Sequence, residues 1–173
     1  YKEERNCLPN SWNKKDYKYF EDLDDYKYNW YFSATVEGKF LPVDSVIGSY
    51  TAQEVIKAIT HKYTPTNQWY YYNCYDILPN NFEPTELVRD DRYDGMRMIF
   101  GEEYLNKIRE RSVFIVGSGA IGCEHLKNFS MMGFGSKDSN IFITDMDTIE
   151  RSNLNRQFLF RMGDIGKLKS DVA

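Results

Sequence analysis

Two short apolar runs enclose an amphipathic segment in the second half of the chain. Residues 113–116 are all apolar, which predicts a short strand. Residues 123–132 place apolar side chains at the spacing of one helix face, and residues 140–145 predict a second, buried strand that ends on an acid. The pattern therefore predicts a strand–helix–strand unit, which is typical of an α/β protein.

Helical spacing recurs upstream, where apolar residues from 47 to 59 fall on one face. The predicted helix begins near Leu41, and Asp44 or Ser45 can cap its free N–H groups. Pro65 closes the segment, because proline does not continue a helix.

An aromatic segment, residues 68–78, follows that helix. Aromatic side chains favour strands, so we expect a strand that is buried against a neighbour. A platform on which a ligand stacks is the alternative interpretation of the same residues. Residues 79–91 are a polar connector, and residues 101–110 predict a short helix that leads to the next strand.

Composition and charge limit the classes of function. The chain has 173 residues, a formal net charge of −4 and 16% aromatic residues, which is enough for one domain or parts of two. A mildly acidic chain does not provide the basic face that a nucleic-acid partner needs, and no apolar run is long enough to span a membrane. Three scattered cysteines do not form a disulfide framework, so we expect a reducing compartment, cytoplasmic and nuclear.

A glycine motif lies between the first predicted strand and its helix. Gly117, Gly119 and Gly122 form G-x-G-x-x-G, with Ala120 at the start of the helix. Glycine lets the backbone turn tightly and approach a nucleotide closely, and the helix start offers unpaired N–H groups to negative charge. Asp145 stands at the carboxyl end of the second strand, where its carboxylate can accept both ribose hydroxyls. The unit predicts nucleotide binding, for which NAD in an oxidoreductase is the usual interpretation.

The residues that follow Asp145 argue against a redox cofactor. Asn153, Arg156, Gln157 and Lys169 gather donors and positive charge beyond the acid, and ribose recognition alone does not need them. A site that holds a triphosphate and neutralises charge during attack on phosphorus does need such donors.

Three motifs resemble those of the active adenylation domain of the ubiquitin-activating enzymes. They are G-S-G-A-I-G-C-E at 117–124, T-D-M-D at 144–147 and S-N-L-N-R-Q-F-L-F-R at 152–161. The resemblance is specific over residues 92–173 and extends from about Val36. It implies an α/β fold with the Rossmann-like nucleotide-binding βαβ unit of the adenylating enzymes (ThiF/MoeB-like), preceded by a helical segment and a helix–strand piece of a second similar domain.

The same resemblance implies parts of a longer enzyme. Residues 1–35 correspond to the end of a four-helix insertion, residues 36–88 to the C-terminal part of the inactive adenylation domain, and residues 89–173 to the N-terminal part of the active adenylation domain. The motif at 92–96 opens that domain, but Gly95 stands where the nucleotide-reaching version has an arginine. We therefore expect a piece of a longer protein that lacks the complete active site and is inactive alone.

The resemblance also implies roles for single residues. Asp145 holds the ribose, Arg156 reaches the phosphates, and Lys169 adds positive charge at the α-phosphate. Arg156 and Lys169 are therefore the expected catalytic residues. Asn153 and Gln157 are expected to contact phosphate or ribose.

Asp147 can either orient Arg156 or help to hold Mg²⁺, whose principal ligand is expected outside this sequence. His61 and His125 are the only histidines and have no cysteine or acid grouping around them, so no metal site is expected within the chain. Cys123 is expected to pack against the sheet rather than to act as a nucleophile.

The implied reaction is ATP-dependent adenylation of the C-terminal carboxylate of ubiquitin. The resemblance further implies thioester formation on a cysteine outside this chain, transfer to ubiquitin-conjugating enzymes, and pairing with the inactive adenylation half of the same protein. The joining of 36–78 to the active half and a long loop at 133–140 favour ubiquitin over another ubiquitin-like modifier. That other modifier, an NAD-dependent oxidoreductase and a non-catalytic interaction module are the alternatives.

Overall fold

A computed structural model describes residues 2–10, 12–20, 26–78 and 89–173. The chain divides into two compact units, Tyr1–Glu103 and Tyr104–Ala173. Of the predicted polar connector, residues 79–88 lie outside the described residues. The predicted domain limits after residues 35 and 88 stay predictions.

The first unit is helical. Asn13 caps its second helix, because the side chain accepts hydrogen bonds from the N–H groups of Lys15 and Asp16. The helices are α1 (Lys2–Arg5), α2 (Lys14–Tyr17), α3 (Tyr26–Thr35), α4 (Leu41–Thr60) and the first part of α5 (Asp94–Arg109), with 3₁₀ turns at Lys18–Phe20 and Tyr75–Ile77.

α4 confirms the predicted long helix and corrects its start. Phe40 is the N-cap residue and makes no side-chain capping bond, and Pro42 lies in the first turn, where no N–H is needed. The prediction that Asp44 or Ser45 caps this helix is therefore wrong. The helix ends where His61 adopts the left-handed conformation, with φ 54°.

The predicted strand at 68–78 is wrong. In the part of the chain that the structure describes, this segment pairs with no strand and forms only a 3₁₀ turn near its end. Trp69 and Tyr71 are 84% and 85% exposed, whereas Tyr70 stacks on Tyr50 of α4 with ring centroids 4.1 Å apart. A strand takes its hydrogen bonds from a neighbouring strand, so an aromatic composition cannot form one by itself.

α5 begins earlier than predicted and carries a break. It starts at Asp94, and Gly101 interrupts it with φ 77° and ψ 170°. Arg97 is 1% exposed, and its guanidinium binds the carboxylates of Asp91, Asp94 and Glu102. This buried cluster ties the start of α5 to the residue that follows the break.

The second unit contains the predicted strand–helix–strand unit. Its strands pair in parallel, with Val113 opposite Ile141, and the intervening helix ends at Gly133 in the left-handed conformation (φ 89°). The α/β prediction is confirmed in this unit. Its elements are β1 (Val113–Val116), α6 (Ala120–Met132), β2 (Ile141–Thr144) and α7 (Lys169–Val172), with 3₁₀ turns at Arg151–Asn155 and Met162–Asp164.

The described residues cover only one face of this two-stranded sheet. Ile115 of β1 and Cys123 of α6 are buried, whereas Phe114, Val116 and Phe142 are exposed. Side chains alternate between the two faces of a strand, so this is the pattern of a sheet with one covered face. No residue of β2 is fully buried, because Ile141 and Ile143 are half-buried and Phe142 is exposed, so the prediction that β2 is a buried strand is wrong.

After β2 the chain returns to the end of that strand. Residues 147–149 pair with residues 166–169 through backbone hydrogen bonds, and we call this pairing the return ladder. In it, the N–H of Lys169 donates to the carbonyl oxygen of Asp147 over 2.9 Å. The ladder therefore places a lysine beside an aspartate that is distant in sequence.

Candidate functional site

The glycine turn has a steric explanation at two of its positions. Gly117 adopts φ +97°, a conformation that residues with a Cβ rarely adopt. A Cβ at Gly122 would overlap the carbonyl oxygen of Gly117, so the helix packs on the turn too closely for any side chain. Gly119 is the N-cap of α6, and an added Cβ would lie 3.9 Å from the amide nitrogen of Gln157. The turn thus presents backbone at the start of α6, where Ala120 is the first helical residue.

Asp145 joins the end of β2 to the glycine turn. Its Oδ2 accepts hydrogen bonds from the N–H (2.7 Å) and the hydroxyl (3.2 Å) of Ser118, and its Oδ1 accepts one from the N–H of Asp147 (2.9 Å). Ser118 is fully buried. Sequence reasoning missed it, because a serine between two glycines reads only as a small turn residue.

Asp145 is held in its ionised form. Partial burial acts to raise the pKa of Asp145, but the hydrogen bonds from Ser118 and Asp147 and the charge of Lys169 outweigh it and hold that pKa below its ordinary value. An ionised carboxylate only accepts hydrogen bonds, so it selects ligand groups that donate them.

The return ladder buries Lys169 beside Asp147. The Nζ of Lys169 lies 2.8 Å from Oδ2 of Asp147, and the residue is 7% exposed. An ammonium has three N–H donors, and among the described residues Asp147 is the single hydrogen-bond partner of this one. The other donors of a buried cation therefore remain for a ligand, and an anion fits them.

The 3₁₀ turn Arg151–Asn155 and the residues that follow it place two amide side chains in the same region. Asn153 forms a capping box with Glu150, whose N–H donates to its Oδ1 over 2.9 Å. Gln157 is 4% exposed, and its Oε1 has no hydrogen-bond partner within the ranges that the structure describes. A buried carbonyl oxygen without a partner is unfavourable, so this atom points to a ligand group that donates a hydrogen bond.

Arg156 lies at the surface of the site. Its Nη1 donates to the carbonyl oxygen of Ser152 and to Oδ1 of Asn155, each over 3.0 Å. Of the two predicted roles of Asp147, orientation of Arg156 is not what the structure shows, because that carboxylate binds Lys169 instead. The other N–H groups of the exposed guanidinium are available to a ligand.

These side chains line one polar cavity of about 340 Å³ within the second unit. It gathers five of the predicted site residues, while the glycine turn and Asp145 lie beside it. The cavity combines two cations and two amides with acidic side chains, so it can hold an anionic ligand that also carries hydrogen-bond donors. The lining residues are Asp147, Thr148, Glu150, Asn153, Arg156, Gln157 and Lys169.

Other candidate residues have structural roles. Cys123 packs with Ile149 and Phe160, and burial raises the pKa of its thiol. The expected packing role is confirmed, but these partners lie in the segment that follows β2 and not in the sheet. His125 is exposed on α6 and stacks on Phe129 with ring centroids 5.7 Å apart. Within the described residues, no group of three or more His, Cys, Asp and Glu side chains lies close enough to hold a metal ion.

None of the described helices is both long and apolar enough to cross a membrane.

Residues 93–173 match the ThiF family. The ubiquitin-like modifier-activating enzyme 1 of Homo sapiens is 50% identical over 141 residues, which are 79% of this chain and 13% of that protein. The ubiquitin-activating enzyme E1 1 of Candida albicans is 48% identical over 162 residues, which are 88% of this chain and 16% of that protein.

Two further proteins are similar to parts of this chain. The ubiquitin-like modifier-activating enzyme 7 of Homo sapiens is 44% identical over 142 residues, 79% of this chain and 14% of that protein. A solved structure of MccB from E. coli is 30% identical, with a TM-score of 0.44. The match covers 50% of this chain and 26% of the MccB chain. The chain spans less than a fifth of the length of the activating enzymes that it matches.

Proposed function

We propose that the chain is part of a ubiquitin-activating enzyme, because residues 93–173 match the ThiF family and the similar proteins are activating enzymes. The resemblance to that class predicted from the sequence motifs is confirmed by these relatives. The proposed reaction is ATP-dependent adenylation of the C-terminal carboxylate of ubiquitin. A carboxylate oxygen attacks the α-phosphorus of ATP, an acyl-adenylate forms, and pyrophosphate leaves.

The buried ammonium of Lys169 is the observation that carries this proposal. It lies in a polar cavity at the end of β2, and Asp147 uses only one of its donors. ATP is the nucleotide that the proposed adenylation consumes, and its phosphate oxygens match the donors that remain. A redox dinucleotide does not need a buried cation beyond the ribose-binding acid, so the cavity favours ATP over NAD.

The proposed catalysis is alignment together with neutralisation of charge. Lys169 holds a fixed positive charge near the α-phosphate, because the return ladder and Asp147 restrain both its backbone and its Nζ. Arg156 adds an exposed guanidinium, whose forked N–H groups can adjust their position to bind the phosphates. Asp145 holds the ribose at the end of β2, and Asn153 and Gln157 add amide contacts.

The residues present fit the nucleotide better than they fit a metal. Asp147 is the only predicted Mg²⁺ ligand of this chain, and Lys169 already binds its carboxylate. We therefore propose that the principal Mg²⁺ ligand lies outside residues 1–173. When bound, Mg²⁺ would neutralise charge on the phosphate oxygens.

The proposal extends to the whole enzyme. Residues 1–35 are assigned to a four-helix insertion, 36–88 to the inactive adenylation half and 89–173 to the active half, and the two halves pair within one protein. A cysteine elsewhere then takes the acyl group as a thioester and passes ubiquitin to conjugating enzymes, in the cytoplasm and the nucleus. Ubiquitin is favoured over a related modifier by the sequence features of 36–78 and 133–140.

An ATP–pyrophosphate exchange assay with ubiquitin tests the proposal in the full-length protein. We expect Lys169→Ala to lower the exchange rate roughly 100-fold, as loss of a single charge-stabilising donor does in other active sites. Lys167→Ala is the matched control, because Lys167 is an exposed lysine that pairs with Asp164. We expect that control to change the rate less than about twofold.

The exchange assay and a thermal-shift measurement separate the alternatives. If exchange persisted in both Lys169→Ala and Arg156→Ala, residues 1–173 would be better interpreted as a non-catalytic interaction module within the full-length protein. Stabilisation by NAD but not by ATP in a thermal-shift measurement would favour the oxidoreductase. We expect residues 1–173 alone to show no ubiquitin-dependent exchange.

A further inference from the structure

Most of the hydrogen-bond acceptor positions on the carboxylate of Asp145 are occupied by the protein itself. An ionised carboxylate has about four acceptor positions, two on each oxygen. Oδ2 accepts both the N–H and the hydroxyl of Ser118, and Oδ1 accepts the N–H of Asp147. Three positions are therefore occupied, and one position on Oδ1 is open.

The two hydrogen bonds that Ser118 donates to Oδ2 are costly to break. Ser118 is fully buried, and within the described residues its hydroxyl has no other hydrogen-bond partner. If a ligand hydroxyl displaced it from Oδ2, the serine hydroxyl would be left buried and unpaired, which is unfavourable. Its backbone N–H is held on the same oxygen at 2.7 Å by the glycine turn.

We infer that Asp145 accepts only one of the two ribose hydroxyls, and that Ser118 is the specificity-determining positioning residue that fills the other place. This inference rests on the proposed function and concerns the ribose part of the same site. From sequence alone, Asp145 is expected to accept both hydroxyls. The hydroxyl of Ser118 limits it to one.

The test measures equilibrium affinities of the full-length protein for ATP, 2′-deoxyATP and 3′-deoxyATP. In the wild-type protein we expect one deoxynucleotide to bind roughly 10-fold more weakly than ATP, since it loses a hydrogen bond to a charged acceptor. The other should bind within about 3-fold of ATP, because its missing hydroxyl has no acceptor on Asp145. In Ser118→Ala we expect both deoxynucleotides to bind more weakly than ATP, because the vacated position on Oδ2 can accept the second hydroxyl.

Ratios between nucleotides are compared within each variant, so a general loss of affinity or stability cancels. Ser118→Thr keeps the hydroxyl and should keep the wild-type ratio. Equal losses for the two deoxynucleotides in the wild-type protein, no loss for either, or an unchanged ratio in Ser118→Ala would overturn the inference. Failure of the proposed function looks different: the wild-type protein would then not bind ATP at all.

Discussion

The two units of this chain follow the same kinds of sequence pattern with different results. In the second unit, Cys123 of α6 is buried against Ile149 and Phe160 of the segment that follows β2, and Ile115 of β1 is buried as well. In the first unit, α4 forms over 20 residues without burying one of them, and the aromatic segment after it forms no strand within the described part of the chain.

The difference lies in where the hydrogen bonds come from. A helix satisfies its own N–H and carbonyl groups, so α4 forms wherever its local sequence permits. A strand needs a neighbour, and β1 and β2 supply each other with one. An apolar pattern thus predicts that a helix or strand forms. Whether its apolar side chains are buried depends on whether their packing partners belong to the same stretch of chain.

The largest expected change in the free energy of unfolding is that of a substitution at Arg97. It tests whether the first unit is packed around the ion cluster of this residue. Arg97→Met leaves three carboxylates close together without their buried cation. We expect the free energy of unfolding of the chain to fall by about 3–5 kcal/mol in urea denaturation. Arg111→Met, at an exposed arginine, is the control and should change it by less than about 0.5 kcal/mol. A small loss at Arg97 would mean that the first unit has no packed centre there.

Two glycine-to-alanine changes should act in opposite directions in the two units. Gly122→Ala places a Cβ against the carbonyl oxygen of Gly117, so we expect a loss of about 1–3 kcal/mol in the free energy of unfolding. Gly48→Ala in α4 meets no atom within 4 Å. It should stabilise the chain by about 0.5–1 kcal/mol, because alanine is the better helix former. Changes of the same sign would contradict the contrast between a packed helix and an unpacked one.

Acid should affect the second unit through Asp145. Its folded-state pKa lies below the ordinary value of 3.8. The carboxylate therefore contributes stability above that pH, and the contribution is lost as the pH falls through the folded-state pKa. We expect Asp145→Asn to flatten the decline of the urea midpoint below pH 3.8. Glu54→Gln should flatten it less, because Glu54 makes its bonds to Lys57 and Thr66 at the surface of α4.

The aromatic segment should give the smallest effect. Tyr70→Ala removes the ring stacked on Tyr50, which we expect to cost about 0.5–1.5 kcal/mol in the free energy of unfolding. Tyr71→Ala removes a ring that is almost fully exposed and should be nearly neutral. Near-ultraviolet circular dichroism should report the loss of the stacked pair only for the first variant. Equal effects would mean that Tyr71 is packed as well.

The sequence predicts this fold well where the signal is local. The bounds of β1, the glycines at 117 and 122 and the acid at the end of β2 follow from neighbours in the chain, and the structure confirms the unit that they form. The strand at 68–78 fails because its hydrogen-bond partner is not a local property. The hydrogen bond from Ser118 to Asp145 was not predictable for the same reason, since the two residues lie 27 positions apart in sequence.

The site shows the same division. The sequence predicts that Asp147, Arg156 and Lys169 act together, and the structure brings all three to one cavity. Which cation the aspartate binds is not predictable from spacing, because the choice is made by the return ladder. Lys169 lies 22 positions from Asp147, yet it is Lys169 that the carboxylate binds.

The return ladder also couples the site mechanically to the sheet. Lys169 is joined to Asp147 by its backbone N–H and by its ammonium, and the N–H of Asp147 is joined in turn to the carboxylate of Asp145. A displacement of the end of β2 would therefore move Asp145 and Lys169 in the same direction. These hydrogen bonds restrain the distance between the carboxylate of Asp145 and the ammonium of Lys169, so under the proposed function we expect the site to favour ligands with one separation between ribose and phosphate.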